Sequence, residues 1–444
     1  MRLPLLGHAP RALALAAITA GAALRLPAQT PAARLTVADA RRAARQTSPD
    51  LRALAAGVAA AAGRERQAGA LPNPTLAYGR EQTSRGGRTN AQHIAQLEQP
   101  LELGGQRAAR RDAARLRRLV AEARLAAATA QLDYDVARAY ATAAAADQRA
   151  TLATRAAATF TGARRLSQAR LAAGDVSGYA DRLLRLEAAR YTALEVEAGV
   201  ARRVARVTLA ALVGGDAASL TRANVDLVDS LPRTAPVAAL PASDSLARLA
   251  LASRAELRAA ALEVDAAAAD ARLAAHERVP VPVVSAGFKS EQVADSAGSE
   301  GGFRGVVAGL SLPLPLFDRR GGLVDAAGAE ARRRAAETDA LRQRVVREVA
   351  EAEASFRALS EEIGALASQL GPEADVALRA ARAAYGEGEI TLAEFLDAVR
   401  AYHEAEASFA GLRAEVLIRR ATLERAVGAP LPSDSTAGAA APQP

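Results

Sequence analysis

From Gly105 to Ala173 the chain runs without a proline and with a single internal glycine, Gly162. Ala, Leu and Arg dominate the stretch. As an α-helix, roughly seventy residues at 1.5 Å each reach about 100 Å. No compact globule of this size contains a helix of that length. Such a rod must find packing partners along its whole course, as helical hairpins and coiled coils do. The stretch Arg319–Tyr385 is comparable, with an interruption or kink expected at Gly371-Pro372. Aromatic residues make up only 3% of the 444 residues and Trp is absent. Cores built from rings are therefore not expected, and Ala, with the highest helix propensity, must do much of the packing.

Each long rod belongs to a unit that is written twice. Ser48-Pro49-Asp50-Leu51-Arg52 opens one helical stretch, and the run from Ser253 to Arg258 opens another. Each ends at a Pro-x-Pro break, with Pro72 and Pro74 in the first and Pro280 and Pro282 in the second. Two strand-like runs around a Gly-containing loop follow: Thr75–Gln82 with Ala91–Gln99, then Val283–Glu291 with Phe303–Leu312. Pro100 and Pro313 close the pairs and lead into the rods. The rods turn at Gly174-Asp175-Val176-Ser177 and Gly388-Glu389-Ile390-Thr391, and a second helix returns towards Gly214 or Gly428. Recurrence in this order means a duplicated supersecondary unit. The expected division is a signal peptide over 1–28, a first repeat over 29–213, a crossover over 214–252, a second repeat over 253–428 and a disordered tail over 429–444. Prolines 232, 236 and 241 forbid a long helix in the crossover.

The N-terminus carries Arg2 and Arg11, a short apolar run from Ala12 to Leu24, and Leu26-Pro27-Ala28 before Gln29. That order fits a secretory signal cleaved after Ala28. The run falls short of the ~20 residues of a spanning helix. An exported chain without such a helix either is soluble or enters a membrane as a β-barrel. In the strand runs Leu76 and Tyr78 alternate with Thr75, Ala77 and Gly79, and Val306, Ala308, Leu310 and Leu312 with Gly305, Gly309 and Ser311. Period-2 alternation suits a wall with lipid outside and water inside, and also a soluble hairpin packed on a helix. Membrane barrels need at least about eight strands, so four strands belong to a barrel only if several chains share it. Three copies give twelve, wide enough for a lumen.

The net charge of +8 does not mark a nucleic-acid binder. Lys289 is the only lysine, and arginines sit among acids at helical spacing, as in Arg182, Arg185 and Glu187. That is a solvated helix face. The chain has no cysteine, hence no thiolate chemistry and no lipid anchored on an N-terminal Cys. His93, His276 and His403 stand apart from one another; a barrel lumen suits His93, a helix seam His403, and neither suggests a metal site. No catalytic constellation or cofactor fingerprint is present, so neither an enzyme nor a cofactor is expected.

Several stretches resemble the TolC-like outer-membrane efflux proteins: Leu71-Pro72-Asn73-Pro74-Thr75-Leu76, Gln99-Pro100-Leu101-Glu102-Leu103-Gly104-Gly105-Gln106-Arg107, Leu312-Pro313-Leu314-Pro315-Leu316-Phe317-Asp318-Arg319-Arg320-Gly321, and the turn from Gly386 to Ala398. The wording is most similar to the heavy-metal branch (cobalt–zinc–cadmium, copper–silver). The resemblance implies a mainly α fold with a small β part, in which a homotrimer forms a twelve-stranded barrel in outer-membrane lipid, continued by a periplasmic helical barrel. It implies two protein partners, a periplasmic adaptor and an inner-membrane pump. It implies gate acids at Glu394 and Asp397, six carboxylates in a trimer. The corresponding positions of the first repeat are Ala180 and Leu183. Adaptor docking is expected at the turns, at Gly174, Asp175, Ser177, Gly386, Gly388, Glu389 and Thr391, the glycines letting the backbone reverse. Pro72, Pro74, Pro100, Pro280, Pro282 and Pro313 are the expected barrel-to-helix junctions. The expected function is a passive efflux duct, possible cargo being heavy-metal cations. A periplasmic coiled-coil adaptor or scaffold is the alternative, although such a protein carries one hairpin between β domains and this chain has two.

Overall fold

The computed structural model describes residues 34–86, 88–214, 226–227, 240–294, 300–370 and 373–431. The expected signal peptide, most of the crossover and most of the tail lie outside them.

Nine helices are described: α1 (Val37–Thr47), α2 (Pro49–Ala68), α3 (Gln106–Ala173), α4 (Gly178–Val213), α5 (Ser243–Ser253), α6 (Ala255–His276), α7 (Gly321–Leu370), α8 (Glu373–Glu387) and α9 (Leu392–Val427). Six strands accompany them: β1 (Arg34–Leu35), β2 (Thr75–Arg85), β3 (Arg88–Pro100), β4 (Asp226–Leu227), β5 (Val283–Ala294) and β6 (Glu300–Ser311). The rod α3 runs 68 residues unbroken. The second rod is divided between Leu370 and Glu373, and the Gly371-Pro372 pair itself lies outside the described residues.

The duplication is repeated in the packing. Thr47 donates its hydroxyl to the Val213 carbonyl at 2.9 Å, and Ser253 donates to that of Val427 at 2.8 Å. Each bond ties the last turn of a returning helix to a short helix, α1 in one case and α5 in the other. Gly214 and Gly428 cap the two returning helices at φ of 74° and 75°. The helix α5 spans the boundary drawn above between crossover and second repeat, and it holds the same place against Val427 that α1 holds against Val213. The pairing of β1 with β4, parallel, adds a small sheet that local sequence did not announce.

The core is thin and made largely of Ala. Ala113, Ala143 and Ala153 are buried along α3, where small side chains let neighbouring helices come close. The larger side chains collect in two places. Val345, Val349, Ile363, Phe409 and Leu423 join α7 to α9. Phe160, Tyr191, Tyr385 and Phe395 cluster towards the turns: Phe160 stacks on Tyr191 at 4.3 Å between ring centroids, and Tyr385 on Phe395 at 4.6 Å. A ring-built core was not expected from a 3% aromatic content. The few rings are concentrated rather than dispersed.

The main sheet is antiparallel with strand order β2-β3-β5-β6, so β2 and β6 are its outer strands. The register aligns Leu76, Leu97, Ala286 and Ala308 in one row and Tyr78, Ala95, Phe288 and Val306 in the next. These residues share a face. The other face carries Thr75, Gln96, Glu98, Ser285, Gly287, Lys289 and Gly309. Along β5 the side chains Val284, Ala286 and Phe288 are exposed while Ser285, Gly287 and Lys289 are half-buried. Alternation of this kind means curvature, with the apolar face convex and the polar face concave. Gly287 sits in the concavity, where a Cβ would stand 2.2 Å from the Ala95 carbonyl oxygen. No described helix is long and apolar enough to cross a membrane.

Candidate functional site

Two regions carry the features expected of a duct, the junction below the sheet and the tips of the hairpins. At the junction, Pro72 and Pro74 precede β2, Pro280 and Pro282 precede β5, Pro100 ends β3 and Pro313 follows β6. Proline lacks the donor that would continue a ladder, so each strand stops there. The Pro282 carbonyl accepts from Leu101 N–H at 2.8 Å, and Gln99 Nε2 donates to the carbonyls of Pro72 and Pro100, both at 3.0 Å. The Gly104-Gly105-Gln106 run then enters α3 through a contact too close for a side chain. A Cβ at Gly104 would lie 2.6 Å from Val279, while Gly105 takes φ 78°. Gln106 donates to the Val279 carbonyl at 3.0 Å, and His276 Nδ1 lies 2.7 Å from the Gly104 carbonyl oxygen. Arg110 grips Glu102 through both oxygens, at 2.6 and 3.1 Å. Its hydrogen bonds hold the Glu102 carboxyl below the ordinary value of 4.5, against the opposing effect of burial.

At the tips, Gly174 and Gly388 end α3 and the α8 segment at φ of 85° and 84°. Asp175 N–H bonds to the Arg170 carbonyl and Glu389 N–H to that of Ala384, satisfying the last turns. Ser177 caps α4, its hydroxyl accepting from Ala180 N–H at 3.2 Å. Gly386, expected to share the reversal, is instead a residue of α8 and is absent from the positive-φ set. One left-handed glycine per turn is enough, and Gly388 supplies it.

Thr391 and Glu394 form a capping box. The Thr391 hydroxyl accepts from Glu394 N–H at 3.3 Å, and the Glu394 carboxylate accepts from Thr391 N–H and from its hydroxyl, each at 2.8 Å. The backbone bond, then the hydroxyl bond, lowers the Glu394 pKa. Its carboxylate is thus ionised but turned back on its own helix start. Asp397 is free of that duty; its side chain is 77% exposed and 3.6 Å from Arg400.

The groups that join the two hairpins were missed by the sequence reading. Arg400 on α9 donates to the buried Glu187 on α4, whose other oxygen lies 3.7 Å from Arg190. Arg170, at the end of α3, donates to the carbonyls of Tyr385 and Gly386 at 3.2 and 2.7 Å and lies 5.7 Å from the Tyr385 ring centroid. Arg382 donates to Thr159 at 2.5 Å. Such partners are far apart in sequence, and no local spacing reveals them. His403 does lie in a seam, edge-on to Tyr191 at 5.5 Å, with burial lowering its pKa. His93, expected in a lumen, sits on the convex face, its Nδ1 2.8 Å from the Tyr78 hydroxyl. The parity of the register puts it there. No described group of three or more His, Cys, Asp or Glu could hold a metal ion.

Two long hairpins joined beneath a curved sheet that is apolar outside define a subunit of a membrane channel. Solved structures share this fold: a membrane protein from Pseudomonas aeruginosa has a TM-score of 0.72 at 24% identity, covering 88% of this chain and 92% of that one. CusC, described together with folding and transmembrane channel formation, has a TM-score of 0.69 at 18% identity, covering 88% and 92%. The cobalt-zinc-cadmium resistance protein CzcC of Cupriavidus metallidurans is 29% identical over 364 residues, 82% of each chain. The outer membrane efflux protein family matches residues 40–215 and 246–429, and this chain belongs to it. It is an outer-membrane efflux channel protein of the TolC type, not an enzyme.

Proposed function

We propose that three copies of this chain form the exit duct of a tripartite efflux pump that discharges divalent metal cations. The carrying observation is the sheet's geometry. Among the described residues no further strand lies beside its outer strands β2 and β6, and its convex face exposes Leu76, Tyr78, Phe288, Val306 and Leu310. In lipid, unpaired edges cost too much to leave open, so edges of neighbouring copies pair and twelve strands close. The polar concave face then lines the lumen. The hairpins continue it through the periplasm, reached by way of the expected N-terminal export signal. Their turns, around Gly174, Asp175 and Ser177 and around Gly388, Glu389 and Thr391, meet a periplasmic adaptor that links the duct to an inner-membrane pump. Asp397, with Glu394 beside it, gives the entrance a negative field that favours cations. Resemblance to a cobalt-zinc-cadmium resistance protein supports metal cargo.

The test of assembly is an unheated gel of outer membranes extracted with detergent. A trimer is expected, and a monomer in the soluble periplasmic fraction rejects the duct. For the gate, Glu394→Gln with Asp397→Asn removes both charges while Gln can still close the capping box. Cation-over-anion selectivity in planar bilayers is expected to fall, and unchanged selectivity rejects the acid ring.

A further inference from the structure

Above the apolar rows of the convex face the register sets a basic one. Arg80 pairs with His93, His93 with Ser290, and Ser290 with Arg304, so a single row crosses all four strands. The row immediately below is Tyr78, Ala95, Phe288 and Val306, which together with Tyr78–His93 frames a shallow depression of about 470 Å³. The basic row is on the side of the hairpin loops, away from the helices. We propose that it binds the phosphate groups of phosphorylated lipids in the outer leaflet, a site that rests on the outer-membrane barrel reading above.

Level, charge and availability carry the inference. From Val284 to Ser290 the strand climbs ~20 Å at 3.4 Å per residue. Exposed Leu71, Leu103, Leu314, Leu316 and Phe317 at the junctions extend the apolar surface downwards. Together they approach the ~25 Å apolar belt of a membrane barrel, whose rims carry aromatic girdles. Tyr78 and Phe288 mark the upper rim, and Arg80 and Arg304 stand one row beyond it, at headgroup depth. Among the described side chains, no acid on this face lies in the row or in the rows next to it. Glu81, Glu98 and Glu291 point to the concave side. Arg80 has one neutral partner, Gln82 at 3.1 Å, and Arg304 has no ion-pair partner among the described residues. Guanidinium forks left open at the edge of a hydrocarbon belt match phosphate, which accepts two parallel bonds. Both arginines are on the edge strands, so a closed barrel would bring the arginine-bearing edges of adjacent copies together at each seam. The neutral hydroxyl of Ser290 supplies a further donor between them.

The test uses the trimer purified from outer membranes in detergent, titrated with bisphosphorylated lipid A, with the same lipid stripped of phosphate, and with inorganic phosphate. Binding is read by native mass spectrometry. The phosphorylated lipid is expected to bind, the stripped lipid to bind at least tenfold more weakly, and free phosphate alone not to bind measurably. Arg80→Gln with Arg304→Gln is expected to weaken lipid binding about tenfold or more, and Arg80→Lys with Arg304→Lys to restore much of it. Equal affinity of the wild type and the Gln variant, both trimeric on unheated gels, overturns the site and leaves the barrel standing. Equal binding of stripped lipid, or binding of free phosphate as tight as the lipid, overturns it too. A wild type that forms no trimer refutes the barrel reading itself.

Discussion

Glu187→Gln isolates the charge that ties the two hairpins of one chain near their tips. Glu187 is buried on α4, Arg400 reaches it from α9, and the side chain of Arg400 is 32% exposed. Gln keeps the volume and one acceptor oxygen but not the charge. A hydrogen bond to a charged group contributes ~1.5–3 kcal/mol and a neutral one ~1. Solvent at the exposed side of Arg400 screens part of the difference, which leaves ~1 kcal/mol per chain. If the hairpins separate when the duct opens and three chains open together, the closed state loses ~3 kcal/mol, a shift on the order of a hundredfold. Single-channel recording in planar bilayers reads this as a rise in the fraction of time spent conducting. An unchanged open fraction would refute the reasoning, whatever happens to thermal stability. The two hairpins would then move as one body, and the gate would lie at the seams between chains.

Three further perturbations probe the parts that carry the site. Gly287→Ala drives a methyl against the Ala95 carbonyl oxygen and the Gln96 Cα, 2.2 and 2.6 Å from the ideal Cβ, and should abolish the trimer on unheated gels; wild-type yield would mean that β3 yields freely. Phe160→Ala empties a fully buried site between Tyr191 and Phe395 and should cost ~3–5 kcal/mol in urea unfolding followed by circular dichroism, with a loss under ~1 showing that the seam collapses around the gap. Glu102 has a lowered pKa, so its contribution to stability is present above its ordinary 4.5 and fades as pH falls through the depressed value. Wild type should therefore melt above Glu102→Gln at neutral pH and converge with it in acid; a constant difference across that range would assign the effect to packing alone.

Much of this architecture was legible because its punctuation is local. Gly174 and Gly388 turn the rods, the paired prolines stop the strands, and each signal appears twice in the same order. The rod α3 begins and ends where glycine allows it to. The Thr391-x-x-Glu394 spacing was also readable as a capping box, yet the resemblance drew attention to its charge instead of its hydrogen bonds. What stayed hidden depends on neighbours in space. Glu187 and Arg400 are 213 positions apart, and Arg170 and Gly386 are 216 apart. Their spacing has no period to detect. The face occupied by His93 required the strand register, since a shift of one residue exchanges the two sides of a sheet. The pairing of β1 with β4 is only two residues long, too brief for any alternation to show.

The sheet also argues against the adaptor alternative on physical grounds. A soluble protein turns the apolar side of a sheet towards its own helices, because each exposed Å² of apolar surface costs about 25 cal/mol. Here Phe288, Val306 and Leu310 are each more than 70% exposed, on strands whose paired neighbours complete the same bare surface. The helices pack instead below the junction, where Gly104, Glu102 and Arg110 lock their entry. Meanwhile the concave face carries Gln96, Glu98, Lys289 and Glu291, groups that need water. An arrangement apolar outside and polar inside is stable only with hydrocarbon on one side and a wet lumen on the other. Two bare edges make that lumen incomplete in one chain. The same sheet therefore calls for lipid and for further copies of itself at once, which a water-soluble adaptor would not do.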